Sequence, residues 1–424
     1  MASTCLFLTQ FLLIFPVAMA SSSPPLILSL LKSTVPNKLT FRRNVSLTVA
    51  VAVGSPPQTA TMVLDTGSEL SWLRCNAAVT TSASASFNPH VSITYRPITC
   101  SAPTCTTRTR DLTLPASCDK NRLCHVILSY ADASSVEGTL ATDGFRLGGS
   151  PVQTGAVFGC MESGSSSNPV EDARTTGLMG MNRGQLSFVS QMGFPKFSYC
   201  ISPRDSPGVL ILGAAELPWL PPLNYTPLVQ VPPAAAALPY FDRVAYTVRL
   251  QGITVAGKLL PIPESVLEPD HTGAGQTMID SGTQFTFLIG AAYAALRSEF
   301  LKQTAGILRP LAEPNFVFQG TMDLCFRIEM RSAAAARLPS VGLVFGGAEM
   351  KVAGEKLLYR VAGETRGPDG VYCLTFGNSD LLGVEAYVIG HHHQQDLWME
   401  FDLAKSRVGL AEVGCDSASQ RLGL

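Results

Sequence analysis

The sequence predicts a mainly antiparallel all-β protein of two lobes with a few short helices, and three observations carry that prediction. At 424 residues the chain is too long for one small core and fits two lobes of ordinary size. Its 36 Gly and 29 Pro punctuate short alternating runs of apolar and β-branched residues, a pattern of strands joined by turns. The third is a duplication. Met62-Val63-Leu64-Asp65-Thr66-Gly67-Ser68 and Thr277-Met278-Ile279-Asp280-Ser281-Gly282-Thr283 are near copies, with 280 − 65 = 215 residues between their carboxylates. One apolar strand ending in an Asp turn in each half suits a pair of carboxylates brought together.

The first twenty residues stand apart. Cys5 to Val17 is almost wholly apolar, and Ala18-Met19-Ala20 offers small residues where a signal peptidase reads. Residues 1–20 are expected to be a signal peptide, although no basic residue precedes the apolar core. An N-terminal anchor would need a longer apolar stretch. Residues 21–43 mix Ser and Pro with a Leu-rich patch and read as a pro-segment or flexible lead-in. Ser46 to Val53 and Thr59 to Leu64 alternate about the break Gly54-Ser55-Pro56-Pro57, which predicts a hairpin feeding the first Asp turn.

The first lobe is assigned to residues 44–213, with a Ser-, Thr-, Pro- and Cys-rich insertion at 75–124. Seven prolines in residues 214–239 mark the connection, and residues 240–424 make the second lobe. There Val244 to Leu250 alternates, and Gly252 to Val255 continues after a break. Ala291 to Thr304 predicts a helix with Tyr293, Leu296, Phe300 and Leu301 on one face. Met330 to Arg337 reads as a short helix or a surface loop.

Composition narrows the function. Net charge is −1 and only 15% of residues are charged, so no basic field exists to hold nucleic acid. No later apolar stretch is long enough to span a bilayer, so no stable membrane anchor is expected. Of 11 cysteines, Cys5 leaves with the signal, and the remaining ten suit five disulfides in an oxidising compartment. Asn44-Val45-Ser46 and Asn224-Tyr225-Thr226 are N-glycosylation sequons. Together these point to the secretory route: endoplasmic reticulum lumen, apoplast or vacuole.

The duplicated turn carries the chemistry. Hydrolysis without a covalent intermediate needs one group to take a proton from water and another to give one to the substrate. Two carboxylates about 3 Å apart can do both, because like charges so close cannot both ionise and one proton is shared. Gly67 and Gly282 allow the backbone close enough for amide N–H groups to hold the carboxylates. Ser68 and Thr283 can donate hydroxyls to them, and Thr66 and Ser281 are placed to bond across beneath the pair. A single such tetrapeptide would read as an ordinary surface turn. Two copies, each fed by an apolar strand, do not.

Further pieces fall at telling distances. Trp72 lies seven residues beyond Asp65, and Ser129-Tyr130-Ala131-Asp132 to Gly138-Thr139-Leu140 reads as a hairpin. Gly177-Leu178-Met179-Gly180 and Tyr387-Val388-Ile389-Gly390 supply an apolar strand ending in Gly for each half. With these the chain resembles the pepsin-type aspartic endopeptidases from about residue 46 to 415. The shared proton is the property for which that family's dyad is known. The resemblance implies that Asp65 and Asp280 are catalytic, that Tyr130 lies on a flap closing over substrate, and that Trp72 donates its indole N–H to the Tyr130 hydroxyl. It implies polypeptide substrates with bulky apolar residues at the cut, an acidic working range, a monomer, and no metal or other cofactor.

The Cys-rich insertion resembles that of the plant nucellin-like and nepenthesin-like proteases. Tyr130-Ala-Asp-Ala-Ser-Ser and Gly390-His-His-His-Gln-Gln resemble plant members acting in development and cell survival. By the same resemblance the disulfides would be Cys75–Cys160, Cys200–Cys415, Cys325–Cys373 and a nested set, Cys100–Cys124 and Cys105–Cys118. Ala131 and Asp132 depart from pepsin's flap, and Glu69 adds an acid just past the first turn. The run His391-His392-His393 invites a metal site, but neighbouring strand residues face opposite ways and no second ligand cluster completes one. The competing reading is an inert scaffold of the same fold, as in the plant xylanase inhibitors. Those lose a catalytic Asp or flap elements that this chain retains.

Overall fold

The computed structural model describes residues 24–34, 45–76, 86–149, 153–165, 174–230, 238–329 and 337–424. The expected signal peptide, Asn44 and nearly all of Met330 to Arg337 lie outside them. The molecule is mostly strand. A 15-stranded sheet runs through it, and three sheets of five, four and four strands belong to the second half.

The large sheet is held at its middle by β1 (Leu26–Thr34). Leu26 to Leu30 pair with Gly208–Leu212, and Leu31 to Thr34 pair with β2 (Val45–Val53). Of the two readings expected for residues 21–43, a pro-segment or a flexible lead-in, the flexible one does not hold for residues 26–34, which form a strand in the sheet. Alternation explains it. Leu28 and Leu30 are buried, while Ile27 and Leu31 face out. Without β1 two strand edges would stand open.

From β1 the sheet continues through β2, β3 (Gln58–Asp65), Gly177–Gly180 and β4 (Trp72–Arg74) into the flap strands. In the other direction lie Lys196–Cys200, Leu397–Asp402, Arg407–Glu412 and Asn224–Pro227. The last of these falls within the expected connection, and Asn224 is exposed on it. Strands from both halves thus share one sheet. Beneath it Phe197 and Phe401 stack with ring centroids 4.6 Å apart, and Tyr246 meets Phe401 edge-on at 4.5 Å. Each fully buried ring contributes roughly 1.5–3 kcal/mol of hydrophobic stabilisation.

The hairpin of β2 and β3 forms as the alternation predicts, with Val53 opposite Gln58. The predicted helix is observed at Gly290–Gln303, burying Tyr293, Leu296 and Phe300. In the second half Leu250–Val255 carries a bulge between Leu250 and Gly252, at the Gly break seen in the sequence.

Five disulfides form. Cys75–Cys160, Cys200–Cys415 and Cys325–Cys373 pair as the family resemblance implies. The nested pairs do not: the bonds are Cys100–Cys118 and Cys105–Cys124. Burial sorts them. Cys118 sits directly opposite Cys124 on adjacent antiparallel strands, so their side chains leave the ladder on the same face and strand facing alone does not choose their partners. Cys105, on the short helix Pro103–Thr106, and Cys124 are both buried in the apolar cluster under the flap. Cys100 and Cys118 remain near solvent and find each other. Five disulfides fit an oxidising compartment. Among the described residues no helix is long and apolar enough to cross a membrane.

Candidate active site

Each Asp turn ends a strand supported from behind. Gly177–Gly180 runs parallel to β3, with Gly180 beside Asp65, and Ala386–Ile389 runs parallel to Gln276–Ile279, with Ile389 beside Ile279. The two supporting glycines are required by contact. A Cβ on Gly180 would meet the carbonyl oxygen of Glu69, and one on Gly390 that of Phe285. Two hydroxyls repeat the symmetry at Asp + 6. Ser71 Oγ accepts the Gly180 N–H at 3.1 Å, and Thr286 Oγ1 accepts the Gly390 N–H at 3.2 Å.

The turns are locked together across the molecular centre. Thr66 N–H donates to Ser281 Oγ at 3.0 Å, and Ser281 N–H donates to Thr66 Oγ1 at 2.9 Å. The same hydroxyls donate onward, Thr66 Oγ1 to Ile279 O at 3.1 Å and Ser281 Oγ to Leu64 O at 2.9 Å. Both residues are buried, so every donor and acceptor of this reciprocal set is satisfied inside protein. The two turns are thereby fixed relative to each other.

Above this lock sit the carboxyl groups. Gly67 N–H donates to Asp65 Oδ1 and Gly282 N–H to Asp280 Oδ1, each at 2.8 Å. Ser68 Oγ donates to Asp65 Oδ2, and Thr283 Oγ1 to Asp280 Oδ2 at 2.5 Å. A Cβ on Gly67 would lie 2.9 Å from Asp280 Oδ1, and one on Gly282 would strike Asp65. Each glycine therefore makes room for the opposite carboxylate. Burial pushes the Asp65 carboxyl up to about 8, and the neighbouring Asp280 charge adds to it against the pull of Ser68 and Gly67. One proton thus stays on the pair well above the ordinary carboxylate range.

The flap is the hairpin of Cys124–Ser129 and Ser135–Arg146, with Ser129 opposite Ser135. Its tip closes through Tyr130 N–H to Ser134 O at 3.0 Å, with Ala133 at φ +64°. Trp72 Nε1 donates to the Tyr130 hydroxyl at 2.6 Å. Asp132 accepts from Ser134 N–H at 3.0 Å and from Ser134 Oγ at 2.6 Å, so its carboxylate stiffens the tip.

The three histidines occupy a turn after Ala386–Ile389 rather than a strand, and their rings diverge. His391 Nε2 bonds Val45 O at 2.8 Å, and His392 Nε2 bonds Lys356 O at 2.9 Å. His393 lies between Thr286 Oγ1 at 2.7 Å and Thr375 Oγ1 at 2.8 Å. Burial lowers His391 and His392 to about 4 and His393 further still, so all three stay neutral in mild acid. Among the described residues no cluster of three or more His, Cys, Asp or Glu is placed to hold a metal ion.

Sequence reasoning missed the support beneath the second turn. Gln394 Nε2 donates to Ile389 O at 2.8 Å and to Asp280 O at 3.3 Å, while the Tyr199 hydroxyl donates to its Oε1. The Gln-Gln after the histidines was the available signal, but nothing local said which way it pointed.

Known proteins agree with this geometry. Residues 48–214 match the family described as Xylanase inhibitor N-terminal, and residues 245–412 match Xylanase inhibitor C-terminal. The chain is 63% identical to Aspartic proteinase PCS1 of Arabidopsis thaliana over 392 residues, covering 92% of this chain and 86% of that protein. It is 29% identical to Aspartic proteinase nepenthesin-2 of Nepenthes gracilis over 372 residues, covering 87% and 77%. Among solved structures it is similar to EDGP, with TM-score 0.68 and 21% identity over 93% of this chain and 96% of that one. Soybean basic 7S globulin is similar at TM-score 0.64 and 20% identity, covering 92% and 97%. At such identity these two speak for the fold alone. With two Asp turns locked in register and a relative sharing nearly two thirds of its residues, the chain belongs to the pepsin-like aspartic proteinases of plants.

Proposed function

We propose that Asp65 and Asp280 are the catalytic pair and that the chain cuts internal peptide bonds with water activated between them. The observation that carries this reading is the pair itself: two carboxyl groups, each held by a glycine N–H and a hydroxyl, with burial and the Asp280 charge favouring a proton on Asp65. The more buried Asp65 is the better holder of that proton. It donates to the scissile carbonyl while Asp280 takes a proton from the attacking water, and a gem-diol forms and collapses. The flap lies along the substrate as an added strand, with Tyr130 shielding the reacting atoms from solvent.

Tyr130 packs on an apolar cluster with Trp72, Val126 and Leu178, which favours apolar side chains at the cut. The enzyme acts as a monomer of two lobes, residues 44–213 and 240–424, within the secretory route of a plant cell. It works in the endoplasmic reticulum lumen, the apoplast or a vacuole and serves development or cell survival. Asn224, exposed on its strand, carries an N-glycan, and so does Asn44.

The deciding experiment measures peptide cleavage across roughly pH 3 to 7, with and without pepstatin, for wild type and Asp65→Asn. We expect pepstatin-sensitive cleavage that falls by at least about a thousandfold in the variant. Cleavage that survives the substitution would remove Asp65 from the mechanism. No cleavage by the wild type would favour the inert-scaffold reading.

A further inference from the structure

Glu69 lies four residues beyond Asp65 and does not touch the dyad, yet it is 95% buried. Its Oε1 accepts the Leu186 N–H at 2.8 Å, and its Oε2 is buried with no hydrogen-bond partner among the described residues. Gly184 leaves the space: a Cβ there would overlap the Glu69 side chain. Two more carboxylates and one guanidinium surround it. Asp111 comes from the Cys-rich insertion, and Asp242 and Arg243 come from the second half.

These groups sit where three segments meet. Arg243 pairs with Asp111 and donates to Arg110 O at 3.1 Å, which straps the insertion to the second half. Asp242 accepts the Val244 N–H at 2.9 Å and the Ala245 N–H at 3.2 Å. Arg183 N–H donates to Val244 O at 2.8 Å, and Tyr246 donates its hydroxyl to Met181 O at 2.6 Å. Ile279 N–H donates to Tyr246 O at 3.1 Å, and the next residue is Asp280. A continuous path therefore leads from Glu69 through the Leu186 loop and residues 244–246 to the second Asp turn. The other cations at this loop are already engaged: Arg108 on Gln185 O at 2.7 Å and Arg183 on Val229 O at 3.4 Å.

We propose that Glu69 is a positioning residue whose protonated carboxyl group, with the Arg243–Asp111 strap, holds the two halves in the register the dyad needs. The inference rests on the catalytic reading above and adds an element outside the dyad that limits activity at its alkaline end. An unpaired carboxyl oxygen inside protein favours its neutral form. Ionisation would place a third negative charge around a guanidinium already committed to Asp111. Relief comes by admitting water, which loosens the Leu186 loop and the strap together. Burial accordingly raises the Glu69 carboxyl to about 7, with Asp111 and Asp242 adding to it and Arg243 and the Leu186 N–H opposing.

The test separates Glu69 from the dyad. Thermal unfolding is followed from about pH 4.5 to 8 in Asp65→Asn and in Asp65→Asn with Glu69→Gln, so that Asp65 no longer titrates. Glu69 binds its proton more tightly folded than unfolded, so its contribution is present at low pH and lost as pH rises from 4.5 through about 7. In the first protein we expect the rise in melting temperature that His391 and His392 impose up to about pH 6.5 to be blunted by Glu69, and in the second, where that opposing fall is gone, to be distinctly steeper. In the active enzyme, the ratio of kcat/KM at about pH 7.5 to that at pH 5 should rise at least threefold in Glu69→Gln. Arg243→Ala should raise KM and lower kcat together, with Arg243→Lys recovering part of both. Unchanged pH profiles in both Glu69→Gln experiments would overturn the proposal, as would an Arg243→Ala enzyme with wild-type kinetics. A wild type that cleaves nothing would sink the catalytic reading, while the unfolding comparison would still decide the role of Glu69.

Discussion

Trp72 sits in β4 and Tyr130 in the turn at the flap tip, and they meet through one hydrogen bond of 2.6 Å, so their coupling can be measured directly. Trp72→Phe keeps the ring packing and removes the donor. A lost hydrogen bond of about 1–1.5 kcal/mol corresponds to roughly a tenfold drop in kcat/KM. Tyr130→Phe should cost about the same, and the double variant little more than either. Fully additive losses in that cycle would mean the two side chains act separately. The residues of the two Asp turns were legible in sequence because their bonds are local: Asp to Gly two residues on, Asp to hydroxyl three residues on. Gln394, Arg243 and the burial of Glu69 were not, because the bonds that define their roles, Gln394 to Asp280 and Tyr199, Arg243 to Arg110, and Glu69 to Leu186, each span 114 residues or more.

At the scale of elements, the crossed cystines of the insertion provide a contrast. The two loops they close span 18 and 19 residues, so loop closure alone gives each about 3 kcal/mol. Replacing Cys100 and Cys118 by Ala should cost little beyond that. Replacing Cys105 and Cys124 should cost about 1–2 kcal/mol more, because it also leaves a hole in the cluster under the flap. Denaturant midpoints of the two variants test the difference, and equal midpoints would contradict it. Proteolytic fragments of the unreduced protein should link Cys100 to Cys118. Spacing gave no basis for choosing between nested and crossed pairs, since burial decides and burial is a tertiary property. β1 was missed for a related reason. Its alternation is clear, but Ser and Pro flank it and its partners at Gly208–Leu212 are remote. The hairpin of β2 and β3 and the helix Gly290–Gln303 were found because strand partners or helical turns are neighbours in sequence.

For the whole molecule, acid stability is set by opposed groups. His391 and His392 fall from 6.5 to about 4 on folding, so the unfolded chain binds more protons between these values. Their contribution is present above 6.5 and lost as pH falls through 4. Asp65 rises from 3.8 to about 8, so its contribution is present below 3.8 and lost as pH climbs through 8. Between about 4.5 and 6.5 Asp65 and Glu69 together oppose the two histidines, and stability should change little. Above 6.5 only the carboxyl side remains, and stability should decline toward pH 8. Asp65→Asn should expose the histidine slope, with melting temperature rising from pH 4 to 6.5, and His391→Gln should tilt the profile the other way. Melting curves that keep the wild-type shape in both variants would refute this balance.

β1 also constrains how the molecule comes to exist. Leu26 pairs with Leu212, which the ribosome adds 212 − 26 = 186 residues later. On the far side of Gly208–Leu212, Lys196–Cys200 pairs with Leu397–Asp402, close to the end of the chain. The sheet's hairpins are local, but joining them across β1 and Lys196–Cys200 needs contacts of high sequence separation, which slows folding. Until Asp402 has been made, Lys196–Cys200 presents an unpaired apolar edge that another chain could join. A protein destined to cut others must pass its own assembly as a long, incomplete sheet, and its yield depends on what keeps that edge covered while the last strands arrive.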